Sequence, residues 1–182
     1  MKYDKLKFSG VAGIVSVLVL VVMLFFLKNM AVKLFEYQNY GKIFGFWFFM
    51  TVVFVISYLF FLYGFVILAG KVKNGFLKVI VVLRMLFVIV AVLSVIYVVL
   101  KISSENYPNI VIVIVLTSLI LDFVFGVVLI SLRNIISFGI LAGIIEMLKI
   151  VGLWILFLFP VFYVLSVVVE VVILFRFREE IK

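Results

Sequence analysis

The chain has 182 residues, 69% of them hydrophobic and 13% charged, with a mean hydropathy of +1.54, where a soluble domain is roughly half apolar and about a quarter charged. No water-soluble fold buries that much apolar side chain. Cysteine and histidine are both absent, which excludes thiol chemistry, disulfides, most zinc sites, His-ligated haem and His-based catalytic triads, and the formal net charge of +8 reads as basic loops orienting membrane spans, with no nucleic-acid partner expected.

Backbone in lipid must satisfy its own hydrogen bonds, either in helices or in a closed barrel, and a barrel needs short segments of alternating polarity. The apolar runs here are long and continuous, as in Val11 to Leu27, Ile43 to Ala69 and Val79 to Leu100. They predict an all-α fold, a polytopic transmembrane helical bundle forming a single domain over residues 1–182. The first run follows Lys2, Lys5 and Lys7 and so resembles a secretory signal. Its far end, Leu24 to Met30, reads LFFLKNM without a small-residue cleavage site, so it is expected to stay as the first span. Residue 2 is Lys2 and there is no cysteine, so no lipid anchor is expected either.

Crossing about 30 Å of hydrocarbon takes about 20 helical residues. Four spans meet that length, at about 8–27, 43–69, 76–100 and 110–132. The first connection, Lys28 to Lys42, mixes charge with Phe35, Tyr37 and Tyr40 and is expected along the interface. The second, Gly70 to Gly75, reads GKVKNG, and its Asn-Gly pair suits a sharp reversal. The third, Lys101 to Asn109, is polar and carries Pro108 just before a new helix.

From Ile135 to Phe177 no polar loop interrupts the chain. Two arrangements fit: a hairpin of spans at about 138–158 and 161–178 turning near Phe159 and Pro160, or an interfacial helix followed by one span over about 150–175. Cytoplasmic loops carry an excess of Lys and Arg, which separates the two. With six spans, Lys2, Lys5, Lys7, Lys71, Lys73, Lys78, Arg133, Arg176, Arg178 and Lys182 face Lys28, Lys33, Lys42 and Lys101 across the membrane, 10 against 4. With five spans, Lys149 joins the first side and the C-terminal basic residues move to the second, giving 8 against 7. Six spans in the cell membrane, with both termini cytoplasmic, is therefore the expected topology, and five spans plus an interfacial helix the alternative. Trp154, Phe157, Phe159, Phe162 and Tyr163 are then expected as an aromatic cap around the last turn.

Five ionisable residues fall inside the predicted spans: Arg84, Asp122, Glu146, Lys149 and Glu170. Each charge at mid-membrane costs about 2.5–3.5 kcal/mol on insertion scales, and such residues face the bundle interior and pair. At about 1.5 Å of rise per residue, all five lie roughly 12–17 Å from the cytoplasmic ends of their helices, a shared depth that permits one cluster. The plainer expectation is ion pairs that organise helix packing, Arg84 with Asp122 or Glu170, and Glu146 with Lys149 one turn along. The alternative is a polar pathway, making the chain a small ion- or proton-coupled transporter or channel. Gly41 with Gly45, and Gly139 with Gly143, form GxxxG pairs that suit close helix packing.

No enzyme is expected. A serine protease of the membrane needs a histidine, an aspartyl dyad needs a second buried Asp beside Asp122, and neither GxxxxGK[ST] nor GxGxxG appears. No cofactor and no metal site are expected; the expected partners are the lipid bilayer and further copies of the chain or other membrane subunits. At an offset of 62 residues Gly64 matches Gly126 and Lys71 matches Arg133, a sparse correspondence that repeats the plan of span, basic turn and span. With its GKVKNG and SLRNIISFG turns after apolar runs, and a closing hairpin without a polar loop, the chain resembles small uncharacterised multi-pass membrane proteins of archaea. That resemblance implies a multi-pass helical fold and no particular activity.

Overall fold

Runs of Val, Ile, Leu and Phe that no proline interrupts have one local way to satisfy their backbone in lipid, the helical hydrogen-bond ladder, and this chain uses it throughout. A computed structural model describes residues 2–33, 40–100, 107–154 and 158–179, with side chains over 5–25, 45–94, 112–152 and 160–177. Those residues form α1 (Lys2–Lys33), α2 (Tyr40–Lys71), α3 (Gly75–Leu100), α4 (Tyr107–Ser131), α5 (Gly139–Trp154) and α6 (Leu158–Glu179). Five of them, all but α5, are long and apolar enough to cross a membrane. α5 has 16 residues, about 24 Å at 1.5 Å per residue.

The helices overrun the expected spans. α1 continues to Lys33 and α2 starts at Tyr40, so much of the connection expected along the interface is helix, because a ladder once begun gains one bond per added residue. Residues 34–39 of that connection lie outside the described residues. Pro108 sits in the first turn of α4, where its missing N–H leaves nothing unpaired. Pro160 likewise falls in the first turn of α6, so Phe159 and Pro160, expected at the hairpin turn, belong to that helix; residues 155–157 lie outside the described residues.

Each helix packs on the next, and α6 closes the circle against α1, with α2 brushing α6 across the middle. Small residues of α1 set the closure. A Cβ on Gly13 would stand 2.6 Å from Phe61 and 2.7 Å from Val171, one on Gly10 2.9 Å from Phe175, and one on Gly64 2.6 Å from Ser9. Residues 9–13 of α1 therefore lie beside the C-terminal parts of α2 and α6, so the start of α1 and the end of α6, the described residues nearest the termini, are at one end of the ring. α5 is inserted between α4 and α6, with Glu146 and Lys149 buried; with five helices of spanning length and a shorter sixth, the fold accommodates both six spans and five spans plus a further helix.

Two tight turns fix neighbouring helices at that same end. After α2, Lys73 adopts φ 53°, and the Asn74 N–H donates to Ala69 O at 3.0 Å, a Schellman-type stop with lysine where glycine is usual. The Asn74 side chain then accepts from the Leu77 N–H at 2.8 Å and caps α3. The reversal thus relies on Lys73 and Asn74, and Gly75 is simply the first residue of α3. After α4, Phe138 takes φ 65° with the Arg176 guanidinium 5.2 Å from its ring centre.

The interior is graded along the ring axis. At the end holding both termini, Leu6, Phe61, Leu62, Phe65, Leu77, Phe125, Leu129 and Leu174 form a dense core. Large apolar side chains point outward, among them Leu18, Phe49, Val113 and Ile120, at 59 to 63% exposure or thereabouts, while the described mid-helix charges point inward. This inverted arrangement suits lipid outside and not water. The chain is a membrane protein.

Candidate functional site: an intramembrane ionic cluster

Four consecutive helices bring the five intramembrane ionisable residues together. Arg84 comes from α3, Asp122 from α4, Glu146 and Lys149 from α5, and Glu170 from α6, all roughly 10–15 Å from the helix ends they share with the termini. Arg84 Nη2 lies 2.8 Å from Asp122 Oδ1 and 3.6 Å from Glu146 Oε2. Lys149 Nζ lies 2.7 Å from Glu146 Oε2 and 3.3 Å from Asp122 Oδ2. Two cations thus alternate with two carboxylates around a closed square, the arrangement in which every nearest neighbour is of opposite sign.

Groups that charge counting passes over complete the site. Arg84 Nη2 donates to the Tyr58 hydroxyl of α2 at 3.2 Å, and its guanidinium lies 4.3 Å from the Phe125 ring centre. Lys149 Nζ is 5.5 Å from the Tyr163 ring centre. Below, Phe61, Phe65 and Phe125 pack edge to face, with centroids 5.6 Å and 5.4 Å apart, so the cluster rests on an aromatic floor. Glu146 Oε2 takes no aligned hydrogen bond; at 2.7 Å from Lys149 its stabilisation is ionic. Arg84 Nη1 is buried with no hydrogen-bond partner among the described residues.

Glu170 enters through a serine. Ser166 Oγ donates to Glu146 Oε1 at 2.6 Å and also lies 3.1 Å from Glu170 Oε1. A hydroxyl has one hydrogen, and the shorter distance directs it to Glu146. Arg84 has no ion contact with Glu170 among those described, and its acidic partners are Asp122 and Glu146. No group of three or more acidic side chains among the described residues is arranged to hold a metal.

The glycine pairs behave differently from one another. A Cβ on Gly139 would stand 2.7 Å from Leu129 O, and Gly143 packs against Gly126, where a Cβ would stand 2.7 Å from Gly143 O. The α4–α5 contact that places Glu146 beside Asp122 thus depends on Gly126, which the GxxxG spacing did not reveal. Gly45 has nothing within 4 Å and faces outward, so it is not a packing seam; spacing alone does not say which way a helix face points. The surroundings of Gly41 lie outside the described residues. Tyr163, expected in an aromatic cap, instead turns inward beside Tyr58, with ring centroids 6.3 Å apart, because Lys149 and the cavity offer its ring a partner there. The side chains of Trp154, Phe157 and Phe159 lie outside the described residues.

Beyond the cluster, away from the ends where α1 starts and α6 finishes, a partly open pocket of about 510 Å3 lies between the helices. Its walls are mostly apolar residues of α1 to α4, and Thr51, Tyr58, Arg84, Ser118, Asp122 and Tyr163 also line it. Comparison with protein families, curated proteins and solved structures gives no match. The functional reading therefore stands on this geometry.

Proposed function

We propose that the chain is a non-enzymatic, multi-pass protein of the cell membrane, both termini cytoplasmic, whose intramembrane charges organise helix packing. One observation carries the reading: the square of ion contacts joins α3, α4 and α5, and Ser166 with Glu170 extends it to α6. In lipid, apolar faces have no hydrophobic drive to find each other, so polar contacts and close packing select the partner helix and its rotation. Among the described residues outside the cluster, Lys2, Lys5, Lys7, Lys71, Lys73, Lys78, Arg133, Arg176 and Arg178 belong to the end where α1 starts, against Lys28, Lys33 and Lys42 at the other, an excess that supports a cytoplasmic orientation of the first end. Its partners are the lipid bilayer and further membrane subunits or copies of the chain.

The test is a double-mutant cycle in mild detergent. Removing one member of a buried pair strands the other, at about 3–5 kcal/mol. Arg84→Leu should lower the melting temperature strongly, and Arg84→Leu with Asp122→Leu should recover part of the loss. Additive effects of the two substitutions would overturn the packing role.

A second reading, a proton- or ion-coupled transporter or channel, is favoured by the trio of Glu146, Ser166 and Glu170, which holds a hydrogen at mid-membrane with two neighbouring acceptors. In proteoliposomes it expects Glu170→Gln to abolish proton flux while the protein stays folded; equal flux with and without the substitution excludes it.

A further inference from the structure

Glu170 is the carboxyl of the cluster with no cation beside it. Its side chain is buried at mid-membrane, yet among the described residues Arg84 and Lys149 direct their ion contacts to Asp122 and Glu146. The helices packed on α6 are α5, α1 and α2. α5 presents Glu146 and Lys149, α2 presents Tyr58, whose hydroxyl receives Arg84, and α1 has no ionisable side chain from Phe8 to Phe25. On α6 itself, Tyr163 turns its ring to Lys149. Glu170 meets Ser166 Oγ, 3.1 Å from its Oε1, and the Glu146 carboxyl is within side-chain hydrogen-bonding reach.

Ser166 directs its single hydrogen to Glu146 Oε1 at 2.6 Å. What Ser166 Oγ then offers Glu170 is a lone pair, and an ionised carboxylate has only lone pairs to return. Electrostatics point the same way. Glu146 has Lys149 Nζ at 2.7 Å and Arg84 Nη2 at 3.6 Å to hold its charge, whereas a second carboxylate beside it without a cation would set two like charges together in low dielectric. With Glu170 neutral, Arg84 and Lys149 balance Asp122 and Glu146. We propose that Glu170 is a proton-binding site, a neutral carboxylic acid that donates to Ser166 Oγ while Ser166 donates to Glu146, so that one bound proton ties α6 to the ionic square on α3, α4 and α5. The carboxylate takes that proton from water, and no other bond is made or broken. The site goes beyond both readings of function, since a chain that moves no ions would still hold this proton.

Infrared spectroscopy reads the proton directly, because the C=O stretch of a carboxylic acid stands apart from carboxylate and amide bands. The purified full chain in a maltoside detergent at neutral pH should show this band, and isotopic labelling of the glutamate carboxyl carbons should shift it. Glu170→Gln, which keeps the shape and a hydrogen donor, should lose the band. Ser166→Ala should keep the band and change its frequency, because the acid loses the oxygen that accepts its hydrogen. Three results would overturn the proposal: no glutamate band in the unaltered protein, a band that survives Glu170→Gln, or a band unmoved by Ser166→Ala. The first measurement uses the unaltered protein, so a variant that fails to fold leaves the proposal falsifiable. Proton flux in proteoliposomes is read separately: the band without flux removes the transport reading and leaves the site, and flux without the band removes the site.

Discussion

The two halves of the ring, divided by the ionic cluster, are built from the same residue types and packed to different ends. On the side of the termini, Phe61, Phe65, Leu77, Phe125, Leu129 and Leu174 leave less than 1% of their surface exposed, and glycines at 10, 13, 64, 126 and 143 let backbones approach. On the other side Phe54, Phe87 and Val88 are only partly buried and surround empty space. Apolar composition is therefore not what makes a membrane core dense. Among the described residues, edge-to-face phenylalanines over close-packed glycines make the terminal side dense, and the pocket lies on the other side.

The sharpest way to break this comparison is to truncate one phenylalanine on each side. Phe65→Ala removes a ring wedged between Phe61 and Phe125 and should cost about 3 kcal/mol in the cavity term that survives in lipid. Phe87→Ala, which only widens an existing cavity, should cost about 1 kcal/mol or less. Equilibrium unfolding in mixed micelles reads both, and equal losses would mean that the two halves are equally packed.

A smaller effect separates close approach from open surface. Gly126→Ala would drive a methyl group towards Gly143 O and should destabilise by about 1–3 kcal/mol, with the melting point falling accordingly. Gly45→Ala meets open space and should stabilise its helix by about 0.5–1 kcal/mol. A loss at Gly45 as large as at Gly126 would refute the assignment of packing seams.

The least effect is expected at the turn that anchors the packed half. Asn74→Ala removes the cap on Leu77 and should lower stability by about 1 kcal/mol. Lys73→Gly relieves a left-handed lysine and should raise it by about 1 kcal/mol. Thermal melts of the two variants should shift in opposite directions; a shared sign would show that the turn is not held as described.

The charges were legible as candidates because five ionisable side chains in 20-residue apolar runs are conspicuous, and because their depth follows from helical rise alone. Ser166 was within reach of the same reasoning, since it lies one turn before Glu170 and faces the same way. Tyr58 was not: it is one aromatic among many in α2, and nothing local marks it as the hydroxyl beside Arg84. Gly126 stood in the sparse correspondence with Gly64, yet no spacing rule tied it to Gly143, because that contact joins two helices and not one.

Membrane residence, helical class and the level of each charge were determined by sequence alone, since they depend on length, composition and the rise of a single helix. Tertiary structure decided which charges share a square, which glycines meet, where Tyr163 points and that a cavity adjoins Arg84. The physical reason is that these helices are apolar on nearly every side, so no stripe on any one of them states which face turns inward. That rotation is set when six helices close on each other, by the few small and charged side chains that cannot be satisfied facing lipid.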